Sequence, residues 1–449
     1  MKTKYRIDAE IVVVGGGPAG VAAAVTAGRS GAKTLMIEQY GFAGGLATTG
    51  LPLLSFHTLS GKQVFRGVAQ EIVDRLVGVG GSPGHVLAPP DGHAGSMTPV
   101  YPEATKWVSD QMLREAGAEL LLHAKVVDGN TKSGHLRSII VAAKEGLIEV
   151  TGKVFIDATG DADLVYHAGG NFDVGRSSDG RSQTATALFT LGGVAVTEVA
   201  RHFAKEHYYA ARPDEGAEAK LIHLSGGLGR FRDSAKAEYP FSDDDHALWA
   251  MCLRPGQLSL NLTDLAGFDT LTSRGLTEAE LSGREQIWRV VRFLKENVPG
   301  FSESYLLSSP PCVGVRETRR IRGLRRITAS EVLEGAVFDD VVVRSGYCID
   351  LHDPDGKGII FEFQRDPDLT FDIPYSSLVP EDLDNVVVAG RSLSATHEAL
   401  AATRLMALCM QMGEATAYAA AVALPNGNTH KVPVGEIQNR LRESGGLLW

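Results

Sequence analysis

The segment IVVVGGGPAG (residues 11–20) spaces three glycines so that they can bind a phosphate group. The first glycine permits a tight turn, the second lets backbone approach a pyrophosphate, and the third lets a helix pack closely on a strand. The free N–H groups and the positive dipole end of that helix would then face the phosphates. The candidate phosphate-binding residues are Gly15, Gly17, Pro18, Ala19 and Gly20.

The residues around these glycines predict a βαβ unit. Residues 10–14 are typical of a buried strand, residues 18–30 have helical spacing, and residues 33–37 form a second apolar run that ends at Glu38. Glu38 lies 18 positions after Gly20. This is close to the distance expected for an acid that binds a ribose hydroxyl, so the sequence predicts a dinucleotide site.

A second glycine-rich loop, QYGFAGGLATTG (residues 39–50), follows that acid directly. A plain NAD domain would normally continue with another strand and helix. The loop resembles the glutathione-reductase-like FAD flavoproteins, in which an E-x(5–6)-GG stretch lies along the ribitol and flavin. The resemblance implies that FAD contacts Gln39, Gly44, Gly45, Leu46 and Thr49.

Two later segments are similar to the same superfamily in the same order. VFIDATGDAD (residues 154–163) resembles a strand and turn near the dinucleotide, and NVVVAGR (residues 385–391) resembles the late strand that closes the flavin site. Many relatives carry an acid where this chain has Arg391, whose guanidinium could instead bind a phosphate or a flavin hydroxyl. A strand end near Val126 is expected to meet the adenine. The further implied contacts are Ala158, Thr159, Gly160 and Gly390.

The closest likeness is to a generic group of FAD-dependent oxidoreductases, distantly related to succinate dehydrogenase and fumarate reductase flavoproteins. The phrases that carry it are GVRETRRI (314–321), IDLHD (349–353), DIPYSSLVP (372–380) and SATHEA (394–399). The resemblance implies an α/β fold: a Rossmann-like FAD-binding domain, with a parallel sheet and a three-stranded β-meander, plus a mixed α+β substrate domain. We expect the FAD-binding domain at residues 1–170 and 376–449, and the substrate domain at 171–375.

Residues 399–424 are apolar nearly all round and predict one long buried helix, which Pro425 ends. In the related dehydrogenases the N-terminus of this helix points at the flavin. The step at Arg404 and Leu405 resembles a step whose arginine contacts a substrate carboxylate in the succinate branch. Arg404 could instead satisfy helix-end carbonyls or a surface acid.

Residues 316–326 (RETRRIRGLRR) contain six arginines. They could form a basic face paired with acids, or some could reach the flavin cavity and bind an anionic substrate. Arg316 and Arg320 would share one face of an extended strand and are the favoured candidates.

Three histidines are candidates for the proton transfer that accompanies hydride transfer, namely His57, His352 and His397. Each is also explained by a structural hydrogen bond. His397 is favoured because its neighbours resemble flavin-contacting segments.

The formal charge of −10 argues against a nucleic-acid platform, and no apolar run is long enough to predict a membrane span. The four scattered cysteines predict neither a metal site nor a redox disulfide. They suit a reducing cytosol, and the N-terminal residues carry no signal-peptide core, so we expect a cytoplasmic protein. Assembly into a homo-oligomer is left open.

The sequence thus predicts hydride transfer between a small polar or anionic substrate and flavin N5. No second G-x-G-x-x-G follows a downstream strand, so the electron acceptor or donor would be external: oxygen, a quinone or a carrier protein. Two alternatives remain, a flavin monooxygenase and a non-redox biosynthetic or RNA-modifying protein on the same fold.

Overall fold

The protein is described by a computed structural model for residues 3–88, 92–203, 223–233, 238–242 and 246–446. Within these residues the helices are α1 Pro18–Arg29, α2 Gly67–Gly78, α3 Pro102–Glu115, α4 Asp163–His167, α5 Val196–Phe203, α6 Ser273–Asn297, α7 Ala329–Glu334, α8 His397–Thr403, α9 Met406–Ala423 and α10 Val434–Glu443. The strands are β1 Arg6–Asp8, β2 Ile11–Val14, β3 Thr34–Ile37, β4 Leu53–Leu54, β5 Val86–Leu87, β6 Ser96–Thr98, β7 Glu119–Leu121, β8 Lys125–Lys132, β9 His135–Ala143, β10 Gly146–Thr151, β11 Val154–Asp157, β12 Phe172–Val174, β13 Phe189–Gly192, β14 His223–Gly227, β15 Ala247–Arg254, β16 Gln257–Leu260, β17 Tyr305–Ser308, β18 Arg319–Ile321, β19 Val341–Ser345, β20 Ile349–His352, β21 Ile359–Glu362, β22 Phe371–Pro374 and β23 Val386–Val388.

A parallel sheet in the order β23-β11-β2-β3-β7 confirms the predicted βαβ unit and its extension. Successive side chains of a strand point to opposite faces. Val13 accordingly packs in the core shared with helices α1 and α9, whereas Val12 and Val14 pack in the core on the other face. Burial on both faces explains why these strands are continuous apolar runs.

The antiparallel strands β8, β9 and β10 form a meander that covers the second face of this sheet. Ile139, Ile148 and Val150 belong to the same core as Val12. Strand β1 pairs in parallel with β10, which extends the expected three strands to a four-stranded sheet.

The predicted single helix over residues 399–424 is wrong in one respect, because the chain forms α8 and α9 with a break at Arg404 and Leu405. Leu405 has extended backbone, with φ −60° and ψ 140°, and α9 starts afresh at Met406. The break gives α9 its own N-terminus inside the protein. No helix among the described residues has the length and apolar character of a membrane-crossing segment.

A second sheet, antiparallel and in the order β14-β15-β16-β13-β17, is packed against α5 and α6. Phe189, Leu258 and Ile287 belong to its core. Residues 341–375 contribute Val343, Phe371 and other side chains to the core of α1 and α9 instead. The domain boundaries at 170 and 375 stay a prediction.

Candidate functional site

The turn between β2 and α1 presents its backbone to an open space. Gly15 has a φ of 100°, which favours glycine because side chains rarely tolerate the left-handed region. Among the described residues, no atom lies within 4 Å of a Cβ built on Gly17, whereas one built on Gly20 would overlap the Gly15 carbonyl oxygen. The space is lined by Gly17, Pro18 and Ala19. Because α1 begins at Pro18, its N-terminus opens onto this space.

Glu38 lies beside this turn at the end of β3. Its carboxylate accepts hydrogen bonds from the Gly16 N–H at 2.6 Å and from the Tyr40 N–H at 2.8 Å. Burial nevertheless raises the pKa of Glu38 above its ordinary value. Glu38 and Gln39 both line the open space, as an acid that receives a ribose would.

The second glycine-rich loop folds back against the first turn. The Gly44 N–H donates to the Gly16 carbonyl oxygen at 2.8 Å, and Gly44 itself lies behind the lining of the space. Gly45, Leu46 and Thr49 line it. Gly44 thus positions the loop, and its neighbours form the surface.

The other predicted cofactor contacts gather at the same edge of the parallel sheet. Ala158, Thr159 and Gly160 follow β11, Gly390 follows β23, and Val126 lies near the start of β8. Because the carboxyl ends of parallel strands meet at one edge, residues far apart in sequence converge there.

Arg391, the departure from the family pattern, is paired with an acid in the structure. Its guanidinium forms an ion pair with Asp161 and donates a hydrogen bond to the Thr318 hydroxyl at 3.1 Å. Thr318 in turn donates to Asp161 at 2.7 Å. Arg391 and Asp161 both line the cavity. Asp161, in the turn that follows β11, therefore places a carboxylate beside Arg391.

These surfaces belong to one cavity of about 880 Å³. It extends from the β2–α1 turn to the second sheet and the β20–β21 hairpin. Gly20 and Gly44 lie behind its lining. The predicted cofactor contacts that line it are Gly15, Gly17, Pro18, Ala19, Glu38, Gln39, Gly45, Leu46, Thr49, Val126, Ala158, Thr159, Gly160, Gly390, Arg391, Arg404 and Leu405.

A polar cluster contributes another part of the cavity lining. Arg404, in the break between α8 and α9, donates through Nη2 to the Asp350 carbonyl oxygen at 2.8 Å, and the same atom lies 3.5 Å from the Asp350 carboxylate. Arg316 donates through Nη1 to the Thr184 carbonyl oxygen at 2.7 Å. His352 Nε2 lies 3.6 Å from Asp350 Oδ1. All four side chains belong to residues that line the cavity.

Burial sets the protonation states in this cluster. It lowers the pKa of His352 well below its ordinary value, and the positive charges of Arg316 and Arg404 lower it further. His352 is therefore neutral near pH 7 and can accept a proton. Burial, and then the charge of Arg404, lowers the pKa of Arg316 to about 10, so Arg316 remains a cation.

His397, the favoured candidate for proton transfer, does not line the cavity, and its catalytic role stays a prediction. It is buried, and its Nδ1 lies 2.7 Å from Glu317 Oε2. Glu317 also forms an ion pair with Arg320, whose Nε donates to the Ala395 carbonyl oxygen at 2.9 Å. The three side chains form a buried structural cluster.

Arg316 and Arg320 were expected on one strand face, but β18 begins only at Arg319. Residues 315–318 have no regular strand geometry; Arg316 lines the cavity, and Arg320 pairs with Glu317. Arg319 is the second arginine of this segment that lines the cavity.

His57 also lies outside the cavity lining, and its catalytic role stays a prediction. Its Nδ1 is 3.1 Å from the Ser96 hydroxyl, and its ring contacts the His85 ring at 5.3 Å between centroids. The residue pairs with Gln63 in a short bridge.

The cavity residues that the sequence analysis did not single out include His93, Trp249, Ile359 and Phe361. They come from a loop, β15 and β21, and no motif joins them. For Ile359 and Phe361, the sequence signal is the mostly apolar run IIFEF at residues 359–363. The structure leaves the apolar side chains of this run partly exposed.

A sequence-family model described as FAD dependent oxidoreductase matches residues 10–441. The chain belongs to this family. It is a flavoprotein oxidoreductase, and its cofactor is FAD. Comparison with curated protein sequences gives no significant match.

Two solved structures are similar to this chain at low identity. The p-nitrophenol 4-monooxygenase of Pseudomonas putida DLL-E4 is 12% identical, with 98% of this chain and 86% of that chain covered and a TM-score of 0.50. A geranylgeranyl bacteriochlorophyll reductase-like protein of Thermoplasma acidophilum is 14% identical, with coverages of 98% and 84% and a TM-score of 0.48. The similarity to the monooxygenase indicates a common fold.

The residues present fit an FAD molecule. The space above Gly17 would be filled by a side chain, and the N-terminus of α1 opens onto it. A helix N-terminus with close backbone access is suited to a pyrophosphate. The cavity continues from there to the polar cluster, so one elongated ligand and a smaller one have room in it.

Proposed function

We propose that this oxidoreductase transfers a hydride between a small polar or anionic substrate and FAD, with an external electron acceptor or donor. The single observation that carries the proposal is the pair of cavity-lining cations, Arg316 and Arg404, in the cavity whose other end fits a dinucleotide. Bound FAD supplies the hydride acceptor at N5, and the protein supplies orientation and electrostatics.

For the cofactor, we assign the pyrophosphate to the turn at Gly15 and Gly17 with the N-terminus of α1. Glu38 would bind a ribose hydroxyl and Val126 would meet the adenine. Arg391 stands where many relatives carry an acid, and its partner Asp161 provides a carboxylate at that place. The loop at Gly45–Thr49 and the N-terminus of α9 at Leu405 would lie along the flavin, where a helix dipole favours negative charge.

For the substrate, Arg316 differs from Arg319, Arg391 and Arg404, the other described arginines of the cavity lining, each of which has an ion pair. Its one hydrogen bond goes to a backbone carbonyl, and within the described residues it has no ion pair. Asp350 and Asp264 attract it only from a distance. A buried guanidinium is stabilised when a carboxylate occupies its donor groups, so an anionic substrate would bind here.

His352 is the proposed proton acceptor. It lines the same cavity as both arginines and is neutral near pH 7. Asp350 lies beside its Nε2, and the Tyr347 hydroxyl donates to Asp350 at 2.9 Å, which fixes that carboxylate. A neutral imidazole at this position would take the proton that a polar substrate loses when its hydride leaves.

The test is anaerobic mixing of the FAD-loaded protein with a panel of small carboxylates, hydroxy acids and amino acids, followed by the visible flavin absorbance. We expect at least one anionic compound to bleach the flavin. Arg316→Gln should weaken its binding about 10- to 100-fold, because a hydrogen bond to a charged group is lost. Arg322→Gln is the matched control, since Arg322 belongs to the same arginine-rich segment but pairs with Asp173 outside the cavity.

Other outcomes would overturn the proposal. Reduction of the flavin by NADPH but by no organic substrate would favour a monooxygenase. A flavin that no compound reduces would favour a non-redox role.

The distant kinship with succinate dehydrogenase and fumarate reductase flavoproteins would gain support if dicarboxylates were the preferred reductants.

A further inference from the structure

The β20–β21 hairpin presents one face that is polar on one strand and apolar on the other. Asp350 stands directly opposite Phe361, and His352 stands directly opposite Ile359. Paired residues of an antiparallel ladder project from the same face of the sheet. All four residues line the cavity, whereas Leu351 and Ile360, on the opposite face, do not.

The apolar half of this face is incompletely covered by the protein. Ile359 is 48% exposed and Phe361 is 39% exposed, although both line the cavity. The Phe361 ring contacts the His93 ring at 5.3 Å between centroids. His93 also interacts electrostatically with Asp350. Large apolar side chains that remain open towards a cavity favour an apolar occupant, since burying them removes that surface from water.

Further apolar side chains continue this wall. Trp249 and Leu54 pack in one small cluster, and both line the cavity. The Trp249 ring contacts the His223 ring at 5.0 Å between centroids. The cavity therefore has cations at Arg316 and Arg404 and an aromatic and aliphatic surface next to them.

We propose that the substrate is a carboxylic acid with an apolar body, aromatic or alkyl. Its carboxylate binds Arg316 and Arg404, and its body lies against Ile359, Phe361 and Trp249. This inference rests on the proposed function and adds to it the chemical class of the substrate. A very small or purely polar acid would leave the apolar wall in contact with water.

The experiment is isothermal titration calorimetry of the FAD-loaded protein with acetate, butanoate, hexanoate, octanoate and phenylacetate, with hexanamide as the uncharged analogue. Calorimetry measures binding without turnover. We expect the affinity to rise about fourfold for each methylene that enters the apolar part of the cavity. Hexanamide should bind at least tenfold more weakly than hexanoate, because it offers the arginines no charge.

Two variants of the hairpin form a matched pair. Ile359→Ala removes an apolar side chain from the cavity wall, and Ile360→Ala removes the same side chain from the opposite face, where its exposure of 45% is nearly the same as the 48% of Ile359. Ile359→Ala should weaken octanoate binding several-fold and leave acetate unchanged. Ile360→Ala should leave the binding of both unchanged.

Each contrary result has one reading. If no carboxylate binds, the anion site of the proposed function fails, and this inference fails with it. If the carboxylates bind with no dependence on chain length, or if both alanine variants behave alike, the apolar wall is not a substrate surface, and the proposed function stands. If hexanamide binds as tightly as hexanoate, the arginines do not hold the carboxylate.

Discussion

Gly17 and Gly20 stand three residues apart in one turn but have opposite surroundings. A Cβ on Gly17 would meet no described atom within 4 Å, whereas a Cβ on Gly20 would overlap the carbonyl oxygen of Gly15. The backbone of Gly17 has a φ of −70°, which any residue adopts. The chain therefore needs glycine at position 20 for its own packing and at position 17 only for a ligand.

This contrast gives the first prediction. Gly17→Ala should leave the thermal stability of the apoprotein unchanged and lower its affinity for FAD at least tenfold, because the methyl group occupies the ligand's space. Gly20→Ala should lower the stability of the apoprotein itself, because the α1 helix must move away from the turn. Thermal unfolding without FAD and fluorescence titration with FAD measure the two effects.

Equal loss of apoprotein stability in both variants would contradict this division of roles. Full FAD affinity in Gly17→Ala would remove the turn from the cofactor site.

The parts of the site that the sequence predicted are local in the chain. The turn, α1, β3 and Glu38 follow one another within 30 residues, so the spacing of glycines and apolar residues was sufficient to place them. The strand ends at Ala158 and Gly390 were placed by resemblance, and the parallel sheet brings them to the same edge.

The parts that the sequence did not predict depend on tertiary contacts. No glycine or proline marks the break at Arg404, which is held by the backbone of Asp350, 54 residues earlier. Trp249 and Phe361 meet the cavity only because two sheets converge on it. His397 looked like a flavin contact from its neighbours, but its own side chain points to Glu317, which no local pattern announces.

The second prediction concerns the buried cluster of Glu317, Arg320 and His397. Glu317→Gln should lower the free energy of unfolding by about 3–5 kcal/mol, because the Arg320 cation then lies buried without its partner. His397→Gln should cost less, since burial lowers the pKa of His397 to about 4 and its ring is neutral near pH 7.

Denaturant unfolding of both variants measures these costs, and flavin reduction by the identified substrate serves as the second readout. A His397→Gln protein with normal stability and abolished flavin reduction would return His397 to the catalytic candidates.

The third prediction is a pH profile. The lowered pKa of His352 keeps its ring neutral above pH 6.5, so the rate of flavin reduction should show no His352 titration between about pH 6.5 and 8 and should fall only at lower pH. His352→Gln should slow reduction about 100- to 10,000-fold, the usual contribution of a general base. His57→Gln, outside the cavity, is the control and should leave the rate unchanged.

Stopped-flow absorbance over this pH range provides the measurement. An acid limb centred at or above pH 6.5 that disappears in His352→Gln would show that the histidine is charged in the resting protein, contrary to its burial among two arginines.

The fourth prediction concerns Glu414, a fully buried acid of α9 remote from the cavity. Its carboxylate accepts hydrogen bonds from the Val68 N–H at 3.1 Å, at the start of α2, and from the Ser444 hydroxyl at 2.7 Å. Burial outweighs these bonds and raises the pKa of Glu414 from 4.5 to about 7. The native state therefore binds more protons than the unfolded state between these values, and its stability falls as the pH rises through this range.

Glu414→Gln removes this titration. The free energy of unfolding of the variant, relative to the unaltered protein, should increase by about 2 to 3 kcal/mol between pH 5 and pH 8. Glu71→Gln is the control at the neighbouring surface, because the ion pair with Arg29 lowers the pKa of Glu71 and leaves it ionised in the native state across this range. If the two variants show the same pH dependence, the Glu414 carboxylate is ionised in the native protein, and the hydrogen bonds from Val68 and Ser444 outweigh its burial.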